Sequence, residues 1–132
     1  MKEKLDILLL DDEAIVGNRL KPALKKVGCD VELFEDPKKA LNRIREKKFD
    51  IVITDIMMPS VNGIQILEEV RKKSDITKVI IITGYATVAL AREAMDKGAF
   101  DMIAKPFTPD NLRSVIAKAA DSLGYKKIIA KA

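Results

Sequence analysis

Histidine and tryptophan are absent from this 132-residue chain, and cysteine occurs once, as Cys29. Without histidine, imidazole acid/base catalysis, imidazole metal ligation and a phosphohistidine carried by this chain are excluded. One cysteine allows no internal disulfide, so a reducing cytosol is the natural compartment, and Cys29 is expected to be a small buried apolar residue. Apolar runs are short: none approaches the ~18 residues of a membrane span, and Met1-Lys2-Glu3-Lys4 leads into a strand rather than a signal sequence. A cytoplasmic protein without membrane insertion is expected. The net charge is +4, but aromatics make up only 5%. The lysines are also spread along the chain, which fits solvated helix faces better than direct nucleic-acid binding.

What is present is 48% hydrophobic and 33% charged, enough for one compact domain with a core and crowded for two. The run Phe49-Asp50-Ile51-Val52-Ile53-Thr54-Asp55 has Pro59 just beyond it, which predicts a fully buried strand with Asp55 at its carboxyl end. Residues 5–10 predict a second buried strand, stopping at Asp11-Asp12-Glu13, and 30–34, 79–83 and 99–104 predict three more. Helical spacing predicts helices over 14–27, 37–47, 64–73, 87–97 and 109–122. Pro22 predicts a kink or an irregular first half in the first of these. Gly28, Gly98 and Gly124 supply stop signals, and Thr108-Pro109 a cap and first-turn proline. Strands alternating with helices predict an α/β, flavodoxin-like, doubly wound five-stranded parallel sheet, in strand order 2-1-3-4-5 with helices on both faces. The domain is expected over 1–124, with 125–132 a C-terminal tail or the start of a linker.

Such a sheet binds its ligands at the carboxyl ends of its strands. Those ends carry Asp11 and Asp12, Asp55, Thr83 and Lys105 on the first, third, fourth and fifth strands. Three carboxylates within ~5 Å repel by roughly 3 kcal/mol per pair at an effective dielectric of 20, so the cluster calls for a divalent cation. Hard oxygen donors without His or Cys point to Mg²⁺. Lys105 and the Thr83 hydroxyl then supply a cation and a donor for phosphoryl oxygens, which leaves Asp55 as the nucleophile. Each residue alone has an ordinary explanation, as a helix-start acid, a strand-end hydroxyl or a Lys-Pro turn. Their coincidence at matched strand ends carries the functional reading.

The segments Leu8-Leu9-Leu10-Asp11-Asp12-Glu13, Thr54-Asp55-Ile56-Met57-Met58-Pro59 with Gly63, Ile82-Thr83-Gly84-Tyr85-Ala86 and Gly98-Ala99-Phe100-Asp101-Met102-Ile103-Ala104-Lys105-Pro106-Phe107 resemble the signatures of response-regulator receiver domains of two-component signal transduction. The resemblance implies a phosphorylation-dependent switch, with Asp55 accepting a phosphoryl group from the phosphohistidine of a partner histidine kinase or phosphotransfer protein. It implies Mg²⁺ (or Mn²⁺) held by Asp11, Asp12, Asp55 and the Met57 backbone carbonyl, with Thr83 and Lys105 contacting the phosphoryl group and moving with it. It also implies a cis peptide before Pro106. The output surface is expected on the fourth helix, fifth strand and fifth helix, where Arg92, Glu93, Asp96 and Arg113 would select an effector. The oligomeric expectation is a monomer or a phosphorylation-dependent dimer. Two positions depart from the family pattern: Asn62 stands where Asp is frequent, and Met102 stands where a rotating Tyr or Phe is usual.

Rival chemistries fit less well. Haloacid-dehalogenase-type phosphatases place a second acid two residues after the nucleophile, but that position here is Met57, which cannot protonate a leaving group. The chain is therefore expected not to be an enzyme, beyond transfer to its own Asp55 and slow autodephosphorylation. A nucleotide or flavin site would need a glycine-rich loop where Asp11-Asp12-Glu13 stands. A phosphorylation-independent interaction module on the same fold would be expected to have lost Asp55, Lys105 or the acids, and none is lost.

Overall fold

The computed structural model describes residues 4–11, 14–26, 28–56, 62–84 and 87–124, with side chains left undescribed at 14–17. The order is β1 (Leu5–Leu10), α1 (Ala14–Lys26), β2 (Cys29–Phe34), α2 (Pro37–Glu46), β3 (Ile51–Asp55), α3 (Gly63–Lys73), β4 (Lys78–Thr83), α4 (Val88–Asp96), β5 (Asp101–Ala104) and α5 (Pro109–Ser122). The strands pair in parallel in the order β2-β1-β3-β4-β5, the doubly wound arrangement expected from the alternation of strand and helix.

The central strands are apolar on both sides because helices cover both faces. Leu5, Ile7 and Leu9 of β1, with Ile51, Ile53, Ile80 and Ile82, pack against Leu20 and Leu24 of α1 and Leu112 and Ile116 of α5. Leu8, Leu10, Val52, Val79 and Ile81 point the other way, onto Ala40 and Ile44 of α2, Ile66, Leu67 and Val70 of α3 and Ala94 of α4. Truncating any of these large side chains to Ala should cost about 2–5 kcal/mol.

Local chemistry sets the helix ends. Asp36 caps α2 just before Pro37, while Asn62 with Gln65 and Thr108 with Asn111 form capping boxes on α3 and α5. The turns that end α1 and α4 need a left-handed residue, and Gly28 and Gly98 supply φ of 86° and 101°.

The helix expected around Pro22 runs from Ala14 to Lys26 with the proline inside it. Asn18 and Pro22 are both exposed, so the Asn18 carbonyl that loses its donor can turn to water. Strand β5 begins at Asp101 rather than at residue 99, because the Ala99 amide still donates to Ala94 O (3.0 Å) at the end of α4. The side chains of Ile15 and Val16, the end of the expected helix at Val27, and the tail 125–132 lie outside what is described.

Candidate functional site

The site is built from strand ends. Asp55 is the last residue of β3 and Asp11 follows β1 directly, and both are buried, at 6% and 3% exposure. The parallel register aligns Leu10 with Thr54 and Asp55 with Ile82, which brings the ends of β1, β3 and β4 to one edge. Thr83 closes β4 and is fully buried. Lys105 follows β5, and its amide donates to Thr83 O at 2.8 Å, so the lysine leaves the sheet beside that threonine. The Lys105–Pro106 peptide bond is cis.

The Lys105 ammonium reaches back into the crevice, 2.8 Å from Asp55 Oδ2 and 3.0 Å from Asp11 Oδ2. Burial alone would lower the pKa of this lysine. The hydrogen bonds and charges of Asp55 and Asp11 outweigh burial and hold it above the ordinary lysine value. The ammonium is therefore a fixed positive charge between two carboxylates. The expected trio of Asp55, Asp11 and Lys105 is brought together, with Thr83 at the adjoining strand end. Asp12 and Met57 lie outside the described residues.

Two buried carboxylates converging on one cation are hard oxygen donors of the kind Mg²⁺ takes. Among the described residues no third Asp, Glu, Cys or His side chain joins them in a metal-sized group. The fit therefore holds for the two acids in view, Asp11 and Asp55.

A cavity of about 460 Å³ opens beside Lys105, lined by Arg19 and Leu20 of α1, Gly84, and Pro106, Phe107 and Pro109. Met102 is half-buried against the core under α2, α3 and α4. Of the residues expected on the output surface, Arg92 and Asp96 are exposed on α4. Arg113 bonds Asp110 within α5, and Glu93 borders the groove toward α3 with Leu90 and Lys97. Burial pushes the Cys29 thiol up to about 12, so it is inert and packs in the core.

Two residues that the sequence offered only as parts of a family signature have a structural place at the site. The Thr54 hydroxyl donates to Asp55 O at 2.9 Å. Gly63 lies against the backbone of Asp55 and Ile56; a glycine in the first turn of a helix is a poor helix former, and that is a signal of crowding.

A doubly wound parallel sheet with paired acids and a lysine at its carboxyl edge is the α/β class that sets its chemistry on a strand-end aspartate. Residues 7–117 match the response regulator receiver domain family, and the chain belongs to it. It is 35% identical over 117 residues to the transcriptional regulatory protein ZraR of Escherichia coli K12, covering 89% of this chain and 26% of that protein. It is 34% identical over 119 residues to the transcriptional regulatory protein FixJ of Bradyrhizobium diazoefficiens, covering 90% of this chain and 58% of that protein. The chain thus spans about a quarter of ZraR and little over half of FixJ. A response regulator receiver domain protein from Clostridium thermocellum superimposes with a TM-score of 0.83 at 33% identity, covering 91% of this chain and 97% of that one. Among the described residues no helix is long and apolar enough to cross a membrane.

Proposed function

We propose that residues 1–124 form a cytoplasmic phosphoacceptor switch that takes a phosphoryl group on Asp55 from the phosphohistidine of a partner histidine kinase or phosphotransfer protein. Residues 125–132 are then a tail or linker toward an effector. The observation that carries this is the meeting of Asp55 and Asp11 on the Lys105 ammonium. A carboxylate oxygen of Asp55 attacks phosphorus, the bond from phosphorus to the leaving nitrogen breaks, and an aspartyl phosphate forms while the departing imidazole keeps its ring proton. Lys105 transfers its hydrogen bond from the carboxylate to a phosphoryl oxygen, and the Thr83 hydroxyl donates to another, so both stabilise the charge that spreads onto those oxygens. Asp11, with Asp12, Asp55 and the Met57 carbonyl, would hold Mg²⁺ or Mn²⁺, which supplies the positive charge that lets phosphate approach an acidic pocket. Water reaching the acyl phosphate returns the domain to its resting state slowly. The phosphorylated state is read on α4, β5 and α5 by an effector or a second copy.

Intact-mass analysis tests this reading. With a small acyl phosphate and Mg²⁺ the wild type should gain one phosphoryl group, while Asp55→Asn and wild type in excess chelator should gain none. The same mass shift in Asp55→Asn would overturn the assignment.

A further inference from the structure

We infer that Gly63 and Thr54 are positioning residues that fix the peptide carrying Asp55, so that the reach of its carboxylate depends on a missing side chain and a buried hydroxyl behind it. This rests on the phosphoacceptor reading of Asp55. An ideal Cβ placed on Gly63 would lie 2.6 Å from Asp55 O, 2.7 Å from Ile56 Cα and 3.2 Å from the Asp55 carbonyl carbon. All three are backbone atoms, which cannot rotate away as a flexible side chain would. Gly63 does not need left-handed φ, so space is what it supplies.

The space is used to join the helix to the strand end. The Gly63 amide donates to Ile56 O at 3.0 Å, and the Ile56 amide donates to Ile82 O at 3.2 Å. The Asp55 carbonyl accepts from the fully buried Thr54 hydroxyl. The Asp55–Ile56 peptide is thus held by β4 and by its own preceding residue, while the first residue of α3 packs on it and bonds the Ile56 carbonyl just beyond it.

Helix α3 cannot yield if a side chain is added. Its start is locked by the reciprocal Asn62–Gln65 box (Gln65 N to Asn62 Oδ1 3.0 Å, Asn62 N to Gln65 Oε1 2.8 Å), and Ile64, Ile66, Leu67 and Val70 anchor it in the core. The strain of an added Cβ must then fall on the end of β3. There it moves the Asp55 carboxylate relative to Asp11 and Lys105, and a misplacement approaching 1 Å slows transfer roughly 100-fold.

The test times phosphoryl incorporation from a small acyl phosphate with Mg²⁺, by intact mass, in wild type, Gly63→Ala and Thr54→Val. Ile116→Val and Ile116→Ala, in α5 on the opposite face of the sheet, are controls that bracket the loss of stability measured by thermal unfolding. Amide NMR shifts of Asp55 and Ile56 are recorded in metal-free protein. Gly63→Ala should label roughly 10- to 100-fold slower and Thr54→Val less slowed, while the Ile116 variants label at the wild-type rate per folded molecule. The Asp55 and Ile56 amide shifts should move in the first pair only. Wild-type rates in folded Gly63→Ala and Thr54→Val, or equal slowing in the Ile116 controls, would overturn the inference. If Gly63→Ala does not fold, Thr54→Val decides. If wild type itself takes no phosphoryl group, the phosphoacceptor reading fails, and unmoved amide shifts in the variants would separately overturn the positioning.

Discussion

The Lys105 ammonium donates to Asp55 Oδ2 at 2.8 Å across fifty positions of sequence, and it sits 3.0 Å from Asp11 as well. One cation thus balances two buried carboxylates, and removing it leaves like charges facing each other in a poorly solvated crevice. Lys105→Ala should lose about 2 kcal/mol of stability in metal-free buffer, reduced from the full cost of a buried pair because the lysine keeps partial access to water. Added Mg²⁺ should raise the melting temperature of the variant more than that of the wild type, since it takes over the missing charge. Equal Mg²⁺-induced shifts in thermal unfolding would contradict this account.

On the edge strand β2, Glu32 is gripped by Arg43 through Nε at 2.8 Å and a second nitrogen at 3.1 Å, and Lys47 reaches both Glu32 and Asp6 at 3.4 Å. The Arg43 hydrogen bond, aided by Lys47, holds Glu32 below its usual value of 4.5. A folded-state pKa below the unfolded one contributes stability that is present above 4.5 and is lost as pH falls through the folded value. Glu32→Gln should therefore be less stable than wild type at neutral pH, and the gap should close on acidification below about 4.5. Urea unfolding at several pH values measures it; a gap that stays constant would rule out Glu32 as the titrating group.

Much of the site was legible in sequence because its residues stand at places that chemistry marks. Buried parallel strands are nearly continuous apolar runs, so the positions of Asp55 and Thr83 at strand ends could be read off the point where each run stops. Thr108 and Pro109 did the same for the start of α5. What was not legible is three-dimensional crowding. Nothing local says that the start of α3 rests on the Asp55 carbonyl, so Gly63 stands in the sequence as part of a family signature with no contact assigned to it, and Thr54 reads as an ordinary β-branched strand residue. Strand β5 was overextended for a related reason: Ala99 and Phe100 are as apolar as the strand that follows, but the Ala99 amide is already spoken for by α4.

Helix α4 is held lightly. Only Ala94 of its nine residues is buried, against five of the eleven in α3, and Val88 and Met95 are exposed at 75% and 48%. Few buried contacts mean a low free energy of local opening. Amide exchange in α4 should be faster than in α3 in the resting protein, and phosphorylation or a phosphoryl mimic should change it in α4, β5 and α5. Changes confined to α1 and α2 would place the output elsewhere.

Met102 should weaken the coupling between phosphorylation and that surface without weakening phosphorylation. The register sets Met102 opposite Ile81 and Ala104 opposite Thr83, so strand alternation puts Met102 and Thr83 on one face of the sheet, over the α4 side of the core. Movement of the Thr83 hydroxyl toward a phosphoryl oxygen vacates space on that face. An aromatic ring fills such a space in one of two discrete, well-packed positions and so makes a bistable element. Methionine is unbranched and fills it through many rotamers, which distinguishes the two states poorly. A ligand shifts an equilibrium only by its differential interaction with the two states, so the phosphoryl group should move this domain less completely than an aromatic variant. Met102→Tyr should take up label from an acyl phosphate at the wild-type rate and, by NMR shifts with a phosphoryl mimic bound, populate the active state more fully. An unchanged active fraction, or an effect on labelling alone, would show that residue 102 does not set the coupling.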